Sequence, residues 1–394
     1  MNNCIVQENY EEKKKFNNVF LALYVLSILL PSGGIFLAVK PLLCLAMWFF
    51  CSSGFGKINT FVFSFFGVWL GCIILGQAVY VGSPHTDAVL HEFIRIGSYF
   101  CIAIGLAKIN VSRKKLIILC GLLLAINFSV QLLQFFKVEA VFDFLRKYYV
   151  QGEDFRHLNL AYGKTLASFR SGSFFINPNV YSPIALMCLA ALLANLDINI
   201  RSNRKFNVAS VVFLFVGSGS LLLTGSRTAL AALILLIGFF VIRIVRKKPV
   251  LAGFILIALV LALIWLTSEG ARTTMFSEGM DDSVAVKWSE IWRYITEVNP
   301  LSYFVGNSTN IGSPEWGFDV EWGYVLVYTG VVGLINYLRI HRALLYKANG
   351  TNGILYKYVL IALIAQTFSA TVLFNYYAYP LLAIFAFSKG IYDE

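Results

Sequence analysis

LLLTGSRTALA, residues 221–231, sets one guanidinium, Arg227, at a break between two apolar runs. A charged side chain at a membrane boundary is costly unless it reaches water or meets a partner. An arginine between two short spans therefore reads either as a topological anchor or as part of a site, and both readings stand at this point. The apolar runs flanking it are the pattern of the whole chain. Of 394 residues, 58% are hydrophobic and 13% charged. That is about half the charged share of a soluble domain, so the chain reads as a polytopic membrane protein.

The 34 Phe and 20 Tyr suit bilayer interiors and interfacial belts. The first apolar run, residues 16–30, lacks a small-residue cleavage site and is followed by further spans, so no signal peptide is expected. A net charge of +11 raises the question of nucleic acid. The basic residues, however, fall in short clusters between apolar runs, where they act as topology signals. Cys4, Cys44, Cys51, Cys72, Cys101, Cys120 and Cys188 lie in apolar runs or near basic loops. That placement argues against a disulfide framework and against a structural zinc site.

A span needs about 20 apolar residues, fewer when it is packed, and this rule gives about twelve. They cover residues 16–30, 35–50, 61–81, 88–107, 116–136, 180–196, 208–223, 228–242, 250–266, 322–338, 354–372 and 376–387. The expectation is a single all-α transmembrane domain over residues 1–394. Lys and Arg clusters at 13–15, 57, 108–115, 201–205, 243–248 and 339–347 alternate with uncharged or mixed loops, which places both termini in the cytoplasm. Two long connections, 137–179 and 268–321, then fall outside, together with the hairpin at 224–227. Each carries a helical pattern: VFDFLRKYY at 141–149 suits an amphipathic interfacial helix. KWSEIWRYITEV at 287–298 puts Trp288, Ile291, Trp292 and Ile295 on one face.

The topology brings Arg170, Arg227, Lys287 and Arg293 to the outer face from separate parts of the chain. Guanidinium groups converging there suit a diphosphate, because Arg makes bidentate bonds to phosphate oxygens and does not lose its proton. The alternative is that each is a solvated loop charge. Lys40, His91, Glu92 and Arg95 lie inside expected spans, where ionisable groups line a cavity or pair with one another. Glu92 and Arg95, three apart on a helix, can neutralise each other, whereas Lys40 has no sequence neighbour to offset it and is the better ligand candidate. Asp281-Asp282 reads as a solvated turn, and the four histidines show no metal-ligand spacing. No phosphate-loop or nucleophile-elbow motif is present. Loop aromatics such as Trp288, Trp292, Trp316, Trp322 and Tyr324 suit either sugar stacking or interfacial anchoring.

Four stretches in order carry a resemblance: RSGSFFINPNVYSPIAL at 170–186, LLLTGSRTALAALILL at 221–236, WSEIWRYITEVNPLSYFVGN at 288–307 and EWGYVLVYTGVVGLI at 321–335. Together they resemble the O-antigen polymerase and O-antigen ligase family, membrane glycosyltransferases of the GT-C type that use lipid-linked sugar donors. The resemblance implies that Arg170, Arg227 and Lys287, with Arg293 as an alternative to the last, contact a lipid diphosphate. Where Lys287 stands the family usually has arginine. Asn179, in the NPN turn, and Lys40 and Arg95, from the expected spans, join them as substrate-binding candidates.

The ligase branch carries a histidine at the start of the span after the second loop, where this chain has Glu321. That departure favours the polymerase. The implied reaction transfers a growing glycan from undecaprenyl diphosphate to the terminal sugar of another lipid-linked repeat unit. Arg170 and Arg227 would stabilise the departing diphosphate. Glu321, with Asp319 and Glu290 behind it, would take the hydroxyl proton, unless it serves as the ion-pair partner of an arginine. No metal and no cofactor are called for. The implied setting is the Gram-negative inner membrane with the site facing the periplasm. A flippase and a chain-length regulator are the implied protein partners, and no nucleic acid is expected. Two rivals stay open: a ligase passing the glycan to lipid A core, and a transporter or flippase of lipid-linked oligosaccharide.

Overall fold

The computed structural model describes residues 28–31, 39, 41–46, 60–79, 86–107, 110–150, 154–163, 169–202, 208–267, 289, 292, 296, 300–307, 321–350, 353–367, 377–388 and 390–392. The described chain is mostly helical, as the composition predicts. In order it forms α1 (Thr60–Val79), α2 (Thr86–Ala107), β1 (Asn110–Ser112), α3 (Arg113–Phe135), α4 (Glu139–Tyr148) and α5 (Asp154–Leu160). A short 3-10 turn (Ser173–Phe175) precedes α6 (Pro178–Arg201), α7 (Val208–Leu223), α8 (Arg227–Ile244) and α9 (Pro249–Thr267). Then come α10 (Pro300–Val305), α11 (Glu321–Ala348), α12 (Gly353–Gln366), α13 (Ala378–Phe387) and β2 (Gly390–Tyr392).

Among the described residues five helices, α1, α3, α6, α8 and α11, are long and apolar enough to cross a membrane. α7, α12 and α13 are apolar but shorter. Helices also occupy the other expected runs from residue 61 onward, while the runs at 16–30 and 35–50 lie almost wholly outside the described residues.

α6 is the axis of the bundle. Its apolar side chains point in all directions, and α3, α7, α8 and α12 cover it on every side. A helix that is hydrophobic all round belongs inside a core. Its start is fixed locally: Asn177 caps it, its Oδ1 accepting the Asn179 N–H at 2.9 Å, and Pro178 takes the first helical position, where no donor is needed. α1 buries one stripe only, Val62, Phe65, Phe66, Trp69 and Ile73, and shows Phe63, Ile74 and Leu75 outward. Such an outward apolar face suits lipid rather than water. α4 is the amphipathic loop helix expected at 141–149. It buries Phe142 and Leu145 and exposes Phe144 and Tyr148.

Two features depart from the sequence reading. β1 and β2 pair in parallel, Asn110 opposite Gly390 through Ser112 opposite Tyr392, so the fold carries a three-residue strand pair beside its helices. More consequential is α11, expected as one span. Gly330 has φ 65° and ψ −169°, which interrupts the helix, and this backbone region is essentially restricted to glycine. An unbroken 28-residue helix would run about 40 Å, whereas its antiparallel neighbour α12 spans about 20 Å. Yet the Glu321 N–H donates to the Thr367 carbonyl, just past the end of α12, at 3.0 Å. The segment therefore turns sharply at Gly330, and Glu321 ends inside the bundle. α10 fills the bend: a Cβ on Gly330 would stand 2.4 Å from the Phe304 carbonyl carbon. The Asn307 N–H donates to the Val327 carbonyl at 2.7 Å, a group that the break would otherwise leave unmatched.

Candidate functional site

α7 ends at Leu223 and the chain turns through Thr224, Gly225 and Ser226 into α8. Gly225 adopts φ 61°. The Thr224 hydroxyl donates to the Leu221 carbonyl at 2.6 Å and accepts the Ser226 N–H at 3.1 Å, which closes the hairpin. Arg227 is thus the first residue of α8. A cation in the first turn opposes the helix dipole, at a cost of about 0.3–1 kcal/mol. The open N–H groups of the same turn favour an anion.

Arg170 reaches this hairpin from the loop between α5 and α6. Its N–H donates to the Leu160 carbonyl at 3.1 Å and the Ser171 N–H donates to the Leu223 carbonyl at 3.0 Å, so the loop is tied to both neighbours by its backbone. The Arg170 side chain then lies flat on Gly225, and its Nε donates to the Thr224 carbonyl at 3.3 Å. A Cβ on Gly225 would stand 2.8 Å from Arg170 Cγ, so the glycine serves the close approach as well as the turn. Burial lowers the Arg170 pKa, and the charge of Arg227 lowers it further. A guanidinium nevertheless stays ionised at any physiological pH. Two cations are held against one another at one end of the bundle, an arrangement that an anion with several oxygens relieves.

The surrounding loop is fastened by polar groups. Lys137 stands at φ 59° just past α3, where helices commonly end on glycine. Its Nζ donates to the carbonyls of Ala161 at 2.7 Å and Gly163 at 2.9 Å, and it lies over the rings of Tyr162 and Phe169. Partial burial lowers its pKa. His157 Nε2 lies 3.3 Å from the amide nitrogen of Asn177, which joins α5 to the NPN turn. Asn179 is half-buried in the first turn of α6.

A second polar group sits between α2 and the broken helix. Glu92 and Arg95, both buried, form an ion pair, and Tyr328 donates its hydroxyl to the same Glu92 carboxylate. Arg95 also lies 5.8 Å from the centre of the Tyr328 ring, on which Tyr324 stacks at 5.9 Å. Tyr324 is within electrostatic reach of Arg95, Glu92 and Glu321. Glu321, read from sequence as standing at an outer mouth, is fully buried. The bend at Gly330 is what takes it inside.

Of the sequence candidates, then, the structure brings Arg170 and Arg227 together and gathers Arg95 and Glu321 around Tyr324. Lys40, Lys287, Arg293, Asp319, Glu290, Trp288 and Trp316 lie outside the described residues, as does the His91 side chain. Trp292 is exposed, and Trp322 is half-buried and packs, like Tyr303 and Tyr324, against Val327. Three further buried polar residues are not among the sequence candidates: Gln131 and Gln134, two amides in α3, and Asp197, a carboxylate in α6. The signal for the first pair was their three-residue spacing inside an apolar run. For Asp197 it was Arg201 one turn later. Comparison with protein-family models, with curated proteins and with solved structures finds no match to this chain.

Proposed function

We propose that the protein is a membrane glycosyltransferase that extends a lipid-linked glycan, an O-antigen polymerase by its reaction. The reading takes the full chain as about twelve spans of the GT-C type in a Gram-negative inner membrane. Both termini are cytoplasmic and the α7–α8 hairpin faces the periplasm. The observation that carries it is the meeting of Arg170 and Arg227 at that hairpin, where the Arg170 Nε bonds a carbonyl 54 residues away.

In the reaction, a hydroxyl of the acceptor repeat unit attacks the anomeric carbon of the donor glycan. The bond from that carbon to the phosphate oxygen breaks, and undecaprenyl diphosphate leaves with the electron pair. Negative charge grows on the leaving oxygen, and each arginine aimed at it stabilises the transition state by about 3 kcal/mol on the scale of oxyanion donors. The hydroxyl proton passes to a base, for which Glu321 is the candidate. Lys287 or Arg293 adds a third cation to the diphosphate. Asn179, Lys40 and Arg95 complete the substrate-binding set.

Purified protein incubated with a lipid-linked repeat unit alone is expected to give a ladder of lengthening glycans. Product that forms only when lipid A core is added would make it a ligase, and no product from either would overturn the reading. One observation favours a second class, transport of lipid-linked oligosaccharide. Broken helices with ionisable residues at membrane depth form transporter sites, and the bend at Gly330 beside Glu92 and Arg95 has that form. Transport in that class goes with two halves related by a pseudo-twofold axis. Movement of intact lipid-linked repeat units across vesicles, without glycan extension, would decide for it.

A further inference from the structure

The loop that carries Arg170 hangs from a chain of buried hydrogen bonds that the proposed chemistry does not itself use. Gln131 Nε2 donates to the Ser171 carbonyl at 3.0 Å, and its Oε1 accepts from the Ser220 hydroxyl at 2.6 Å. Ser220 in turn lies 2.6 Å from the Tyr181 hydroxyl. Because the Ser220 proton is committed to Gln131, Tyr181 is the donor in that last bond. One turn further along α3, Gln134 Oε1 accepts the Ser171 hydroxyl, whose oxygen also accepts the Ser173 N–H at 3.0 Å. These side chains are at most 1% exposed.

Two amides buried on one face of a membrane-spanning helix are costly unless every group is met, and here both converge on Ser171. The loop they hold is strained: Ser173 and Ile176 each adopt φ 57° without being glycine. A Cβ on Gly172 would stand 2.5 Å from the Asn177 backbone. Such a conformation persists only where its surroundings over-determine it.

We infer that Gln131 and Gln134 are positioning residues for the anion site: by holding Ser171 at its carbonyl and its hydroxyl, they set where the neighbouring Arg170 guanidinium stands against Arg227. The inference rests on the diphosphate reading of Arg170. It gives α3 a part in the site although α3 contributes no cation there.

The test uses the full chain in lipid nanodiscs with farnesyl diphosphate as the probe. Gln131→Leu and Gln134→Leu are expected to weaken its binding about tenfold, since each removes one hydrogen bond to Ser171 and leaves a buried partner there unmet. Placed on an Arg170→Ala background, the same changes are expected to cost nothing further, because they act through Arg170. Ser171→Ala removes the Gln134 bond, and the Ser173 N–H acceptor with it, without altering the helix, and is expected to weaken binding at least as much as Gln134→Leu should the helix variants fail to fold. Amide exchange over residues 169–177 should quicken in all three.

Wild-type affinity in the glutamine variants, with Arg170→Ala still defective, would overturn the inference and leave the diphosphate reading standing. Equal losses with and without Arg170 would overturn it too, since they mark a general structural role. If wild-type protein does not bind the probe, the diphosphate reading falls. The exchange rates then decide alone: quickened exchange upholds the glutamines as holders of the loop, and unchanged exchange overturns that.

Discussion

At the scale of single residues, Arg170 and Arg227 stand close enough for like charge to act between them. Burial lowers the Arg170 pKa and the Arg227 charge adds to the effect. Arg227→Gln is expected to abolish the rise in thermal midpoint that a prenyl diphosphate gives the wild-type protein, as melting with and without ligand would show. Gly225→Ala places a methyl against Arg170 at a residue with φ 61°. It is expected to cost about 1 kcal/mol or more in strain and to reduce glycan extension beyond what that instability explains, when activity is normalised to folded protein. Both arginines were legible in the sequence because a charge in an apolar chain stands out. Gln131 and Gln134 were not: an uncharged amide in a span carries no mark of what it faces, and Ser171 is 40 residues from Gln131.

At the scale of elements, the two hairpin-like features differ in how far the sequence revealed them. TGSR between two apolar runs announces a turn, and the structure closes it with Thr224 and Gly225. The bend in α11 is hidden, because YTGVVGLI reads as an ordinary span with tolerated glycines. Only the approach of Phe304 and Val305 to Gly330 explains it. Gly330→Ala would force an L residue into φ 65° and ψ −169° and drive its methyl into that backbone. Backbone strain alone costs about 1–3 kcal/mol. The expected result is a lower unfolding midpoint together with loss of the Tyr328 to Glu92 contact, read by exchange of the amides in 321–330. Gly333→Ala would bring its methyl to 2.1 Å from Thr329 Cβ on a backbone without positive φ, so its cost reports the steric part without the backbone strain.

At the scale of the whole molecule, the bundle is clasped at the end of α6 remote from Arg170. Asp197, about 27 Å along α6 from Asn179, is fully buried, forms ion pairs with Arg243 of α8 and with Arg201 at 3.0 Å, and accepts the Tyr358 hydroxyl of α12 at 3.3 Å. Asp197→Leu strands the partly buried Arg243 and is expected to cost about 3–5 kcal/mol, as thermal unfolding in detergent would show. The diphosphate affinity of the surviving folded protein is expected to stay unchanged. Helix content and the order of apolar runs could be read directly from composition and spacing. Which helix lies at the centre could not, since the spans are alike in hydropathy and differ in what packs around them.

Two cations distant in the chain are proposed to grip one departing diphosphate, and the rate of glycan ladder formation from a lipid-linked repeat unit reports whether they do. Arg170→Ala and Arg227→Ala are each expected to lower that rate about a hundredfold or more while the protein remains folded. Ladders growing at the wild-type rate in both variants would contradict such a grip.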